Sequence, residues 1–306
     1  MRKGIILAGG YGKRLAPLTN AISKQLMPIY DKPMIYYPLS TLMLGGIKEF
    51  LIITTSRDKK LFEILLGDGH DWGIDIQYEI QDTPDGVARA FVIGEKFLGQ
   101  SSVALILGDN LYHGNQLIPQ LREANSKPDG ASVFAYAVND PERYGVVEFN
   151  DEGLATNIEE KPIKPKSIYA ITGLYFYDNS VVEMAKDIKI SKRKEYEITE
   201  INNIYLQNNK LNVQILGRGT AWLDTGTFDS LHEAGSYIRT LEHRQGLKTS
   251  CPEEIAWRSN WINDGQLEKL AKKYINSGYG KYLLKILSES DSVKNINSSI
   301  GRLQKI

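Results

Sequence analysis

An α/β fold, a Rossmann-like mixed, mostly parallel sheet flanked by helices, is what this sequence predicts, and three observations carry that reading. Short apolar strand-like runs alternate with helical patterns along the first half of the chain. Glycine turns stand where two of those runs end, as in Gly9-Gly10-Tyr11-Gly12 and Gly108-Asp109-Asn110. After Thr227 the pattern becomes helical throughout.

The elements follow in order. Lys3–Ala8, Phe50–Thr54, Ile76–Ile80, Val103–Leu107 and Ser132–Ala137 read as strands, and Met34–Leu44, Lys59–Leu66 and Val87–Phe97 as the helices between them. In such a sheet ligands sit at the carboxyl ends of the strands, so the first glycine loop and Gly108-Asp109-Asn110 should open onto one edge. Beyond about Gly145, Ser167–Tyr177 and Leu211–Leu216 predict strands added to the same sheet, with helical stretches at Ser180–Ile188 and Thr199–Gln207. Cys251-Pro252-Glu253-Glu254 has the form of a helix start, with proline first and acids in the first turn. Leu267, Leu270, Ala271 and Tyr274 keep a helical apolar spacing. We therefore divide the chain into an α/β core, 1–226, and a helical region, 227–306, packed on it; no repeat interrupts either part.

Composition narrows the function. The chain has 37 Lys plus Arg against 37 Asp plus Glu, so no global positive field draws it to nucleic acid or an anionic membrane. Any phosphate must be held locally. Cys251 is the only cysteine, which excludes an internal disulfide and suits a reducing compartment. Met1-Arg2-Lys3 is followed by too few apolar residues for a leader, and no run approaches the ~18 residues of a membrane span. A cytoplasmic location is expected.

Local grip is available in Leu7-Ala8-Gly9-Gly10-Tyr11-Gly12-Lys13-Arg14-Leu15. Glycines let backbone N–H groups approach an anion, and Lys13 and Arg14 add charge. The loop is neither a Walker loop, since Arg14 and not Ser or Thr follows the lysine, nor a dinucleotide fingerprint, since Pro17 biases Ala16 away from helical angles. A plain glycine turn would look the same. Asp109 stands at the mouth of an apolar strand and Asp224 in Ala221-Trp222-Leu223-Asp224-Thr225-Gly226. Two carboxylates converging near phosphates suit Mg²⁺, although each, taken alone, also suits a turn or helix cap. Lys24, in Ser23-Lys24-Gln25, and Lys161, in Glu159-Glu160-Lys161-Pro162, complete the charged set, the second having the form of a solvated surface turn.

These segments, together with Gln81, Pro84-Asp85-Gly86, Tyr144-Gly145-Val146-Val147, Thr172-Gly173-Leu174-Tyr175, Glu197-Ile198-Thr199-Glu200 and Arg244-Gln245-Gly246-Leu247-Lys248, resemble the glucose-1-phosphate thymidylyltransferases nearly end to end. These are sugar-nucleotide pyrophosphorylases with a nucleotide-diphospho-sugar transferase fold. The resemblance implies an enzyme that joins dTTP and α-D-glucose 1-phosphate to give dTDP-glucose and pyrophosphate, towards dTDP-rhamnose and related deoxysugars.

It implies roles as well. Gly9, Gly10, Gly12, Lys13 and Arg14 would hold the triphosphate, Lys24 would neutralise phosphate oxygens, and Gln25, Gln81 and Gly86 would seat the thymine. Asp109 and Asp224 would hold Mg²⁺, and Lys161 would bind the attacking phosphate. Asn110, Gly145, Glu160 and Ile171 would line the glucose, with Tyr175 and Arg193 beside it. A homotetramer with an end-product site is implied too, drawing on His113, Gly114, Glu254 and Arg258. The chain departs from the family pattern at Lys13 (usually Ser or Thr), Arg89 (usually Gln) and Lys194 (usually Gly), which bears on nucleotide preference. A uridylyltransferase, a non-catalytic sugar-nucleotide sensor and a dinucleotide-dependent oxidoreductase are the alternatives.

Overall fold

The computed structural model describes residues 2–289. The first half contains β1 (Lys3–Leu7), the short hairpin β2 (Pro28–Ile29) and β3 (Lys32–Pro33), α1 (Tyr36–Leu44), β4 (Glu49–Thr54), α2 (Lys59–Leu66) and β5 (Asp75–Ile80). Then come α3 (Arg89–Ile93), α4 (Glu95–Leu98), β6 (Val103–Leu107), β7 (Asn110–His113), α5 (Leu117–Ser126) and β8 (Ala131–Ala137). The single helix predicted over Val87–Phe97 is thus broken at Gly94. There the helix crosses β1 so closely that a Cβ would lie 2.9 Å from Ile5.

The second half adds β9 (Gly145–Phe149), β10 (Ala155–Glu160), β11 (Tyr169–Tyr177), α6 (Val181–Asp187), α7 (Ile198–Gln207), β12 (Leu211–Ile215) and β13 (Ala221–Asp224). Helices α8 (Phe228–Gln245), α9 (Pro252–Arg258) and α10 (Asp264–Lys273) follow, with further helix at 278–289. The rest of the predicted helical tail, 290–306, lies outside the described residues.

Nine strands form one mixed sheet in the order β10-β9-β11-β6-β1-β4-β5, with β8 on β11 and β12 on β8. Strand β1 pairs in parallel with β4 and β6, and β4 with β5, so the glycine loop leaves the centre of a parallel half. Strand β11 joins the other half by antiparallel pairing with β6, β8 and β9. Successive residues of β1 serve opposite faces, as the strand period requires: Ile6 lies in one core with Leu39, Phe50 and Leu121, and Ile5 in another with Phe91, Tyr177 and Ile201. Ile255, Trp257, Leu267 and Leu270 of the tail share the first core, so α9 and α10 cover one face of the sheet. No helix among the described residues is long and apolar enough to cross a membrane.

A separate two-stranded ribbon does the positioning that matters most. Strand β13 pairs antiparallel with β7, Asp224 opposite Asn110 and Ala221 opposite His113. Helix α8 starts immediately afterwards with a capping box in which the Thr227 side chain accepts from the Ser230 amide at 3.2 Å. Thr227, rather than Asp224, is the cap.

Candidate active site

A cavity of about 450 Å³ opens at the carboxyl end of β6, lined by Arg14, Asp109, Asn110, Gly145, Glu160, Lys161, Ile171, Tyr175 and Asp224 among others. Of the residues singled out from sequence for phosphate, metal and sugar, these nine share one cavity, whereas Gly9, Gly10, Gly12, Lys13, Lys24 and Arg193 are outside its lining. Thr225 holds the two aspartates in register: its amide and its hydroxyl both donate to the Asp109 carbonyl, at 3.2 and 2.8 Å.

The two carboxylates are electrostatically unlike. Burial raises the Asp109 carboxyl, but the Lys24 ammonium paired with it and the Asn110 amide donating at 2.9 Å more than offset this and hold it below the ordinary range. Asp224 is raised, first by burial and then by the charge of Asp109, against the pull of Lys24, Arg14 and Arg143. The two carboxylates of one pocket are thus held apart in proton affinity, Asp109 by its pairing with Lys24 and Asp224 by burial beside that charge. No group of three or more His, Cys, Asp or Glu side chains forms a metal cage among the described residues. Two carboxylates offering only oxygen fit Mg²⁺, which binds through one or two such groups and shares the substrate's phosphate oxygens.

The glycine loop is shaped from both sides. Gly12 is left-handed at φ 60°, and a Cβ there would lie 2.8 Å from Thr19. At Gly9 a Cβ would come within 3.3 Å of the Gln81 carbonyl, while Gly10 faces open space. Ala16 is extended, as Pro17 requires. The Arg14 guanidinium lies over Gly226, 3.0 Å from where a Cβ would stand, and so reaches the Asp224 turn. Lys13 is exposed. Gln25 and Gln81 are buried outside the cavity, Gln25 packed on Gly108 and Gln81 on Gly9. Gly86 turns at φ +120° against the backbone of Tyr196, 2.4 Å from any Cβ.

Lys161, also in the lining, has a left-handed backbone, φ 46°, uncommon for a residue with a side chain; its amide donates to Tyr144 at 2.9 Å. Its ammonium lies 4.0 Å from Glu160. Arg193 lies outside the lining but bonds Glu160 at 3.0 Å and also meets Glu195 and Glu197, each at 3.3 Å. Ile171, Gly173 and Tyr175 alternate along β11 and line the floor together; a Cβ on Gly173 would strike Leu107 at 2.7 Å and Asn110 at 2.8 Å. The β8 pairing slips between Ile171 and Tyr175, which opens the sheet at that point.

Sequence reading missed several lining residues. Arg143 lies 3.7 Å from Asp224 with its guanidinium over the Tyr144 ring, and Trp222 donates to Asn110 Oδ1 at 2.6 Å. Thr199 donates to Glu160, and burial is the first cause that raises Glu197. For Tyr144, Glu197, Thr199 and Trp222 a signal exists, since each stands in one of the motifs that carry the family resemblance; Arg143 has none. The regulatory candidates fall into two sets. His113 meets Tyr237 at 3.0 Å and Gly114 packs on Thr220, while Glu254 pairs with Arg258 at 2.7 Å and accepts from Tyr282. No hydrogen bond or ion pair joins the two sets among the described residues.

A mixed sheet carrying a glycine loop and two neighbouring carboxylates at its carboxyl edge fits a class that moves nucleotidyl groups, and the Nucleotidyl transferase family model matches residues 3–240. A glucose-1-phosphate thymidylyltransferase of Neisseria meningitidis is 56% identical over 287 residues, covering 94% of this chain and all of the relative. One of Mycobacterium tuberculosis is 57% identical over 288 residues, with the same coverage. A Bacillus anthracis crystal structure assigned as that enzyme, in complex with sucrose, superposes with a TM-score of 0.73 at 39% identity, covering 78% of this chain and 96% of that one. A UDP-glucose pyrophosphorylase complexed with UDP-glucose gives 0.69 at 25% identity, covering 79% and 99%. The chain belongs to the nucleotidyl transferase family and, within it, to the glucose-1-phosphate thymidylyltransferases.

Proposed function

We propose that the chain joins dTTP and α-D-glucose 1-phosphate to give dTDP-glucose and pyrophosphate, the entry to dTDP-rhamnose and related deoxysugars. The observation that carries this reading is that one cavity is lined both by Asp109, Asp224 and Arg14 and by Lys161 and Glu160. An oxygen of the sugar phosphate attacks the α-phosphorus in line, the α–β anhydride bond breaks and pyrophosphate leaves; no covalent intermediate on the protein is needed.

Lys161 orients the attacking phosphate, with Arg193 behind it, while Asn110, Gly145, Glu160, Ile171 and Tyr175 seat the glucose. The amides of Gly9, Gly10 and Gly12 and the cations Lys13, Arg14 and Lys24 hold the triphosphate, and Arg14 stabilises the departing pyrophosphate. Gln25, Gln81 and Gly86 receive the base. Mg²⁺, held by Asp109 and Asp224, would neutralise charge that builds on the phosphates. Lys24 and Arg143, which lie at those carboxylates, would turn to phosphate oxygens once it binds.

Residues 1–226 form the catalytic core and the helices from 227 to 289 cover it, in a cytoplasmic homotetramer. His113, Gly114, Glu254 and Arg258 contribute to an end-product site between subunits. A panel of dTTP and UTP with several sugar 1-phosphates, read by pyrophosphate release with Mg²⁺ and with EDTA, tests the reading. Strong preference for dTTP with glucose 1-phosphate, abolished by EDTA, is expected; no pyrophosphate from any pair would refute it and favour the sensor.

A further inference from the structure

Gln81 holds its amide in one orientation only. Its Nε2 lies 2.8 Å from Asp85 Oδ1 and 3.4 Å from the Gly86 carbonyl, two atoms that can only accept, so nitrogen and not oxygen belongs at that position. Gln81 Oε1 has no hydrogen-bond partner among the described residues. It stands beside Gly9, 3.9 Å from where a Cβ would be, and thus faces the nucleotide loop.

Asp85 is itself held. Its other oxygen, Oδ2, forms an ion pair with Arg89, 3.3 Å from an Nε that makes no hydrogen bond among the described residues, and the Arg89 guanidinium rests over the Tyr196 ring at 5.2 Å. The Tyr196 amide in turn donates to the Asp85 carbonyl at 2.7 Å. Tyr196, Arg89, Asp85 and Gln81 therefore form a continuous chain that ends on one amide.

We propose that Asp85, braced by Arg89, is a positioning residue for base selection: it turns the Gln81 N–H groups away from the nucleotide, so that only a carbonyl oxygen meets the base. This rests on the thymidylyl reading above, in which Gln81 faces the base. A pyrimidine with N–H at position 3, as in thymine or uracil, donates to that oxygen. Cytosine presents a lone pair there, and two acceptors face each other. Without the relay the Gln81 amide is free to flip and offer its N–H to cytosine. Arg89, a departure from the family's usual residue, thus takes a definite task in this chain.

The test is kcat/KM for dTTP and dCTP at saturating glucose 1-phosphate, in the wild type and in Asp85→Ala, Asp85→Asn and Arg89→Gln. Asp85→Ala should shrink the dTTP:dCTP ratio by about tenfold or more, with the dCTP KM falling as the dTTP KM rises, because an unfixed amide no longer rejects the wrong pairing edge. Asp85→Asn, which keeps an acceptor, should restore most of the ratio, and Arg89→Gln should shrink it by about threefold. Equal losses with both nucleotides would reduce Asp85 to a structural brace and overturn the proposal. Should Asp85→Ala fail to fold, Arg89→Gln at the half-buried start of α3 decides, an unchanged ratio refuting the relay. A wild type that used dCTP as readily as dTTP would sink the substrate reading as well; a wild-type preference that survives both substitutions would sink the relay alone.

Discussion

The Asp109 carbonyl accepts both polar hydrogens of Thr225, the residue that follows Asp224. The separation of the two carboxylates is therefore set by backbone geometry, with Thr225 wholly buried behind it. Asp109→Asn and Asp224→Asn should each lose at least ~100-fold in turnover, the scale of removing one electrostatic stabiliser from a transition state. Thr225→Val, which keeps the amide bond and loses the hydroxyl one, should cost about 1 kcal/mol of stability and a smaller share of turnover. Steady-state assay with Mg²⁺ and urea unfolding check these outcomes; near wild-type rates in either asparagine variant would count against the metal role.

The opposite perturbations of the pair give a pH signature in metal-free protein. Asp224 is raised on folding, so its contribution is present below the unfolded value of about 3.9 and is lost as pH rises through the folded one. Asp224→Asn should therefore melt above the wild type at neutral pH, the gap closing on acidification. Asp109, lowered on folding, contributes above its unfolded value and loses that contribution as pH falls, so Asp109→Asn should melt below the wild type at neutral pH. Calorimetry between pH 4 and 8 in EDTA separates them, and an Asp224→Asn variant less stable than the wild type at pH 7 would overturn the assignment.

Lys161→Ala should raise the KM for glucose 1-phosphate by about tenfold or more while moving that for dTTP little, since removal of one cation weakens only the anion it faces. Equal effects on both substrates would return Glu159-Glu160-Lys161 to a solvated turn. The left-handed backbone favours the functional reading, because such a conformation in a lysine is maintained against its own preference.

Lys13 is exposed in the loop, and Lys13→Thr should weaken dTTP binding several-fold at low ionic strength, about 1 kcal/mol, with a shallower salt dependence. Titration across a salt series measures this; a dTTP affinity identical to wild type throughout would place the ammonium permanently in water.

Lys194 tests a departure of another kind. It stands at φ 63° in a tight turn closed by Lys194 N to Ser191 O and Ser191 N to Glu195 O, both at 2.9 Å. Glycine accepts that conformation without strain, so Lys194→Gly should stabilise the fold by about 0.5–1 kcal/mol after its extra freedom in the unfolded chain is counted. A urea midpoint that falls would contradict this.

Much of this architecture was legible because its signals are local. Val103–Leu107 and Lys59–Leu66 match the predicted bounds, since apolar runs and helical spacing are written in consecutive residues. Ribbon strands β7 and β13 were not foreseen: each is four residues long, and each becomes a strand only by pairing with the other over a hundred residues away. The candidate site divides in the same way. Asp109, Lys24 and Lys161 could be singled out by their setting in the chain, whereas Arg143 enters through a tertiary approach to Asp224 that no spacing encodes.

The floor formed by Ile171, Gly173 and Tyr175 fixes how the cavity proposed for the sugar can be redesigned. All three belong to one face of one strand, so the pocket widens by trimming side chains and not by lengthening a loop. Position 173 is closed to change because Leu107 and Asn110 already fill the space above it. Acceptance of bulkier hexose phosphates must then begin at Ile171 or Tyr175, and a library confined to those two codons, scored for turnover of 2-substituted glucose 1-phosphates, is the direct trial of that constraint.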